Sequence, residues 1–296
     1  MILVTGGTGF IGRNLVRSLV ESGNQVRILL RPSKFSPKLP KGIPVEVAVS
    51  SLSDERGLRA SMKGINTIFH LASAEREGAR GNLNIVDVQG TAAISRSARD
   101  AGIERLIFIS HHGADRLSAF PALRAKGIAE GWITGSQVPY TIIRTDAIFG
   151  AGDQFTIPIY RLLRRIPIFA IPGDGSTLLQ PLFVDDLVAS LMMLLESDRW
   201  VNRTISIGGG ELISYREVVH AVMQYSKHKR PIIQISPAYL RTEALWLDQL
   251  SPRFPMSIYW LDTLAIDRTT NLDVMPKEFG IIPARFKSHL DYLAEM

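Results

Sequence analysis

Short apolar runs alternate with stretches of helical periodicity from the first residues onward. Residues 2–5 read as a buried strand, and residues 10–22 as a helix with Ile11, Leu15, Leu19 and Val20 on one face and Gly23 as its stop. Apolar runs at 26–30, 45–49, 67–71, 105–110 and 140–145 read as five further strands. Helical stretches lie between them near 54–62, 85–101 and 122–134, and 204–207 reads as a seventh strand. Strands that alternate with helices need right-handed crossovers. The pattern therefore predicts an α/β chain with a doubly wound parallel sheet covered by helices on both faces.

The pattern loosens after about residue 150. Pro158, Pro167, Pro172 and Pro181 punctuate the chain, and Ser214 with Glu217 three residues on has the spacing of a capping box. The expected organisation is a core at 1–150 and a mixed segment at 151–296. That segment returns the strand at 204–207 to the sheet and forms a small C-terminal lobe, with Trp246, Phe254, Tyr259 and Trp260 read as its core.

Composition narrows the chemistry. With 46% hydrophobic and 21% charged residues the chain is not wholesale disordered. It has no cysteine, which excludes disulfides, thiolate metal sites and Cys nucleophiles. The six histidines show no ligand spacing, so no metal is expected. The longest apolar run, 187–195, is far short of the ~20 residues that cross a bilayer. No leader is visible, and a cytoplasmic location is expected. The 34 Lys+Arg and 28 Asp+Glu give a net charge of +6. Arg161, Arg164 and Arg165 and the run Lys227-His228-Lys229-Arg230 read as a solvated helix face and a helix end. Without a basic stripe interleaved with aromatics, no nucleic acid is expected as a partner.

The strongest motif is Thr5-Gly6-Gly7-Thr8-Gly9-Phe10-Ile11-Gly12, which holds G-x-G-x-x-G between a predicted strand and a predicted helix. One glycine permits the turn, one lets backbone approach a pyrophosphate, and one lets helix and strand pack closely. The helix N-terminus then faces the phosphates. The residues after the second strand are Arg31-Pro32-Ser33-Lys34, with no acid to accept from a ribose 2′-hydroxyl. Arg31, with Arg13 beside the loop, suits a 2′-phosphate, so NADP(H) is the preferred cofactor and NAD(H) the alternative.

With these residues on view, the chain resembles the atypical, extended short-chain dehydrogenase/reductase superfamily. It is most similar there to NmrA-like proteins and to the nucleotide-binding accessory subunit of respiratory complex I. The glycine loop carries the resemblance, with His70-Leu71-Ala72-Ser73, Ser110 after the fifth strand, the segment Ile143 to Gly150, and Gln180 to Leu187. It implies an NAD(P)-binding Rossmann fold in which Leu71, Ala72 and Ser73 line the adenosine pocket. The superfamily's Tyr-x-x-x-Lys pair falls on Ala122 and Lys126, so the lysine is present and the tyrosine is not. Asp87 stands where many relatives have Asn, Thr145 where proline usually follows Arg144, and Ser51-Leu52 where an Asp often contacts adenine. Tyr225 and Lys229 repeat the spacing on a different helix.

Lys126, Ser110 and His111 remain as catalytic candidates, with Lys126 also expected on the nicotinamide ribose. His112, Asp146 and Tyr160 are candidates for a substrate or partner pocket, although Asp146 can equally be a turn cap and Tyr160 a helix-packing residue. Two functions follow. One is an NADPH-dependent oxidoreductase acting on a small carbonyl, enone or quinone-like substrate. The other is a non-catalytic NADP(H)-binding sensor or assembly factor acting through a protein partner.

Overall fold

The computed structural model describes residues 1–33, 39, 42–75, 81–240 and 258–296; at 258 and 260 only the main chain is described. Lys34, Trp246, Phe254 and the Trp260 side chain lie outside this set. The chain divides into two compact units. The first holds residues 1–74, 82–144 and 187–206, and the second 75–81, 145–186 and 207–296. The first unit thus runs to Arg144 and resumes at Leu187.

Seven strands build the first unit's sheet: β1 (Ile2–Thr5), β2 (Val26–Leu30), β3 (Glu46–Val49), β4 (Thr67–His70), β5 (Arg105–Ser110), β6 (Tyr140–Arg144) and β11 (Arg203–Ser206). Their order is β11-β6-β5-β4-β1-β2-β3, and every pairing is parallel. This is the Rossmann arrangement. Strands β1 and β5 are buried at every position, as a sheet covered on both faces requires. On one face Leu3, Leu29, Ile68, Leu106, Phe108 and Ile142 pack with the helices α2 (Glu55–Ser61), α3 (Gly90–Asp100) and α4 (Pro121–Thr134). Helix α1 (Phe10–Glu21) packs on β1 and β2.

Two details depart from the expected pattern. The buried side of α1 is Gly12, Leu15, Val16 and Leu19; Ile11 and Val20 are half-buried. The helix expected at 85–101 is also not uniform: it opens with a π-helical turn, Asn84–Gln89, and becomes α3 only at Gly90. That turn carries the buried Asp87.

The second unit is built from short pieces. β7 (Ile148–Phe149) pairs with β10 (Leu182–Phe183), β8 (Phe169–Pro172) with β13 (Ile232–Ile235), and β9 (Leu178–Leu179) with β12 (Ile213–Ser214). Helices α5 (Thr156–Arg165) and α7 (Tyr215–Ser226) pack together around Phe149, Phe155, Phe169, Tyr215 and Phe286. The capping box is formed: Ser214 Oγ accepts from the Glu217 N–H at 3.2 Å, and the Ser214 N–H donates to Glu217 Oε2 at 2.8 Å. The segment Val184–Met193 is a further helix, α6, within which the chain re-enters the first unit.

Candidate functional site

The glycine loop joins β1 to α1, and its glycines do different work. Gly6 has φ +71°, and a Cβ there would meet the Leu71 carbonyl carbon at 2.7 Å. A Cβ on Gly12 would lie 2.2 Å from the Gly6 carbonyl oxygen, so only glycine lets α1 close against the turn. Gly9 is exposed, and a Cβ there would meet nothing nearer than the Gly6 oxygen at 3.2 Å. Gly9 is also the N-cap of α1 and offers no side-chain cap, so the helix's first N–H groups face outward with the positive end of its dipole. Open backbone at Gly9, followed by a helix N-terminus with no side-chain cap among the described residues, is the kind of donor set a pyrophosphate needs. Thr8, Phe10, Ile11 and Arg13 are half-buried around it, and Gly7 is buried against Ile28.

The strand order reverses between β1 and β4, where crossovers diverge and leave a crevice at the strands' carboxyl ends. Leu71, Ala72 and Ser73 follow β4 at this edge and are half-buried. Arg31 is exposed directly after β2.

A buried polar relay braces this edge. Thr5 Oγ1 accepts from the Leu71 N–H (3.2 Å) and the Ala72 N–H (3.3 Å), and lies 2.7 Å from His70 Nδ1. With its lone pairs engaged, the hydroxyl donates to Nδ1. The His70 Nε2–H therefore donates to Thr91 Oγ1 at 2.9 Å. Burial, and secondarily the Lys126 charge, pushes the imidazole down to about 3, so it is neutral at pH 7. Its ring stacks on Phe108, with centroids 5.5 Å apart.

Next to this relay sits Lys126, 5% exposed. Its Nζ lies 3.3 Å from Asp87 Oδ1, 3.5 Å from the Ile109 carbonyl oxygen and 5.1 Å from the centre of the Phe108 ring. Asp87 Oδ2 accepts from the Ala74 N–H at 2.9 Å. The aspartate in the usual asparagine position thus supplies the counter-charge that a buried ammonium requires. Ala122 is buried one helical turn before Lys126 and brings no proton-bearing group. Ser110 ends β5, one residue beyond the carbonyl that Lys126 reaches. Its buried Oγ has no hydrogen-bond partner among the described residues, an unfavourable state that a ligand would relieve. His111 and His112 follow and are both buried. The relay, the Lys126–Asp87 pair and Ser110 all belong to the first unit.

The other candidates lie in the second unit. Asp146 Oδ1 is 3.3 Å from Arg268 Nη1 in a buried ion pair, and Arg268 also donates to the Asp262 carbonyl oxygen. Tyr160 is buried in the second unit's core with its ring edge-on to His228. Tyr225 donates to the Lys287 carbonyl oxygen. Sequence reasoning missed Arg268, which lies 122 residues from its partner with no motif around it. It also missed the Glu130–Arg144 pair (2.5 Å) that ties α4 to β6. The Asp87–Lys126 pair did leave a signal, because one departure added a negative charge to a chain that kept the buried lysine.

Among the described residues no three His, Asp or Glu side chains stand together to hold a metal ion, and no helix is long and apolar enough to cross a membrane. The chain matches a known family and is similar to many known proteins and solved structures. Residues 6–154 match the family model described as NAD(P)H-binding. The chain is 26% identical over 292 residues to the ceramide reductase of Caulobacter vibrioides, covering 99% of this chain and 85% of that one. It is 25% identical over 240 residues to the photosystem II assembly factor Ycf39 of Trieres chinensis, covering 81% and 73%. The structure of MoeE5 in complex with UDP-glucose and NAD superposes with a TM-score of 0.75 at 23% identity, covering 99% of this chain and 97% of that one, a likeness of fold.

Proposed function

The chain belongs to the NAD(P)H-binding family, and on that premise we propose that it is an NADP(H)-preferring oxidoreductase. Its substrate is a small carbonyl, enone or quinone-like compound, and Lys126 manages the proton. The observation that carries this reading is the buried Lys126–Asp87 pair close to Ser110, whose hydroxyl has no hydrogen-bond partner among the described residues. A reduced nicotinamide, when bound, supplies hydride. The chain must then place the carbonyl and deliver one proton to its oxygen. Ser110 Oγ is free to donate a hydrogen bond to that oxygen, and the Lys126 ammonium is the proton source. Asp87 holds the ammonium in place and balances its charge. The glycine loop binds the pyrophosphate, Leu71, Ala72 and Ser73 line the adenosine, and Arg31 with Arg13 receives the 2′-phosphate. The relation to a ceramide reductase supports the oxidoreductase reading.

A second reading has its own support. Ala122 leaves no phenol on α4, and an assembly factor is among the relatives. On that reading the same loop binds NADP(H) and the occupied state is read by a protein partner, without turnover. One experiment separates the two. NADPH binding is measured by calorimetry, and its oxidation is then followed with a panel of carbonyls, enones and quinones. Binding with turnover of at least one compound supports the oxidoreductase, and binding with none supports the sensor. Absence of binding to either NADPH or NADH at millimolar concentration overturns both.

A further inference from the structure

The second unit carries a concentrated positive face. Residues 154–173 and 218–240 contain no Asp or Glu. They hold six cations: Arg161, Arg164, Arg165, Lys227, Lys229 and Arg230. These six equal the net charge of the whole chain, since the other 28 Lys+Arg match the 28 Asp+Glu. The fold brings the two stretches together. α5 packs on α7, Arg230 Nε donates to the Leu163 carbonyl oxygen at 3.0 Å, Tyr160 meets His228 edge-on, and β8 pairs with β13. None of the six forms an ion pair among the described residues, and Arg161, Arg164, Arg165, Lys227 and Lys229 are exposed. Two helix C-termini attract a cation or two each through their dipoles; six exceed that need.

Apolar groups are exposed on the same stretches. Ile168 and Ile233 are 47% and 45% exposed, and the Phe169 N–H, directly after Ile168, donates to the Pro231 carbonyl oxygen two residues before Ile233. Tyr239 is 62% exposed. Cations with no ion-pair partner among the described residues, together with exposed aliphatic side chains and an exposed tyrosine on the same stretches, form a surface suited to anionic lipid: headgroups meet the charges and the acyl boundary takes the isoleucines. A nucleic acid would instead call for several stacking aromatics, and the exposed groups here are mainly aliphatic.

We propose that the face formed by the end of α5, the Lys227–Arg230 turn and the β8–β13 pair docks the protein on an anionic membrane surface. This concerns the second unit alone and does not depend on the dinucleotide reading. The test is flotation of the full chain, without cofactor, with phosphatidylcholine vesicles containing about a third phosphatidylserine. The wild type should float with these vesicles, should not float with pure phosphatidylcholine, and should be released at about 0.5 M salt, where charges are screened within a few ångströms. Each cation held at such a surface raises binding about fivefold, so R161Q/R164Q/R165Q should lose about a hundredfold in apparent affinity. Ile168→Ser with Ile233→Ser should weaken binding at low salt without removing it. Circular dichroism on each variant checks its fold, and the salt series on the wild type stands independently of any variant. Failure to float on phosphatidylserine, equal flotation on neutral vesicles, or equal binding by the folded triple variant would overturn the proposal. So would tighter binding to a single-stranded polynucleotide than to the vesicles at the same salt.

Discussion

The two units of this chain are ordered by different means. In the first, seven parallel strands are joined by helical crossovers, and two sets of buried polar groups lie among them: the Thr5–His70–Thr91 relay and the Asp87–Lys126 pair. In the second, most paired strands have two residues, and order comes from a cluster of aromatic and aliphatic side chains drawn from distant positions. A covered parallel sheet leaves little freedom in where polar groups can go, so the buried polar side chains at its edge must be paired or braced. The second unit hides its polar pairs inside an irregular core and places its surplus charge outside.

Removing a central aromatic probes the second unit's dependence on packing most strongly. Phe286 is fully buried, with its ring against Phe149 at 4.9 Å and Phe155 at 6.1 Å. Phe286→Ala should cost about 3–5 kcal/mol, read by urea denaturation. A loss below about 1 kcal/mol would show that the cluster is not what orders this unit.

The first unit's relay should appear as a pH dependence. His70 is held neutral, down to about 3, whereas in the unfolded chain it takes a proton near 6.5. The unfolded state therefore binds more protons between these values. The contribution is complete above about pH 6.5 and is lost progressively as pH falls toward 3. Between pH 6.5 and 5 this amounts to about 2 kcal/mol. His70→Gln should be less stable at pH 7 but should show a shallower decline between pH 7 and 5 in thermal melts. A parallel decline in both proteins would remove His70 as the cause.

A smaller effect tests the cofactor end of the same unit. If Arg31 receives the 2′-phosphate as proposed, Arg31→Ala should weaken NADPH about tenfold and leave NADH nearly unchanged, through loss of one charge-assisted contact. Equal losses in calorimetry would take the guanidinium off that phosphate.

The same contrast explains what could be read from the sequence. The sheet's strands were legible to within a residue at each end, because a buried parallel strand is a short apolar run bounded by turn residues. The glycine loop was legible because close approach at Gly6 and Gly12 tolerates no other residue. Ser214 and Glu217 announced α7 through local spacing. The two-residue strands of the second unit were not legible, since two residues show no period. Arg268 was invisible because its bond to Asp146 spans 122 positions and depends on tertiary folding alone. The π-helical turn at Asn84–Gln89 was hidden for another reason: an apolar pattern predicts helix, and one extra residue in a turn barely alters it.

The central claim is that Lys126, held by Asp87, delivers the proton. The most direct measurement compares NADPH oxidation by the wild type and by the double variant Lys126→Met/Asp87→Asn, at saturating NADPH and with a surrogate carbonyl that the wild type accepts. Removing both charges together leaves no lone buried ion, so the fold should survive. The account predicts a rate lower by about 10²–10⁴-fold with NADPH still bound; equal rates for the two proteins would contradict it.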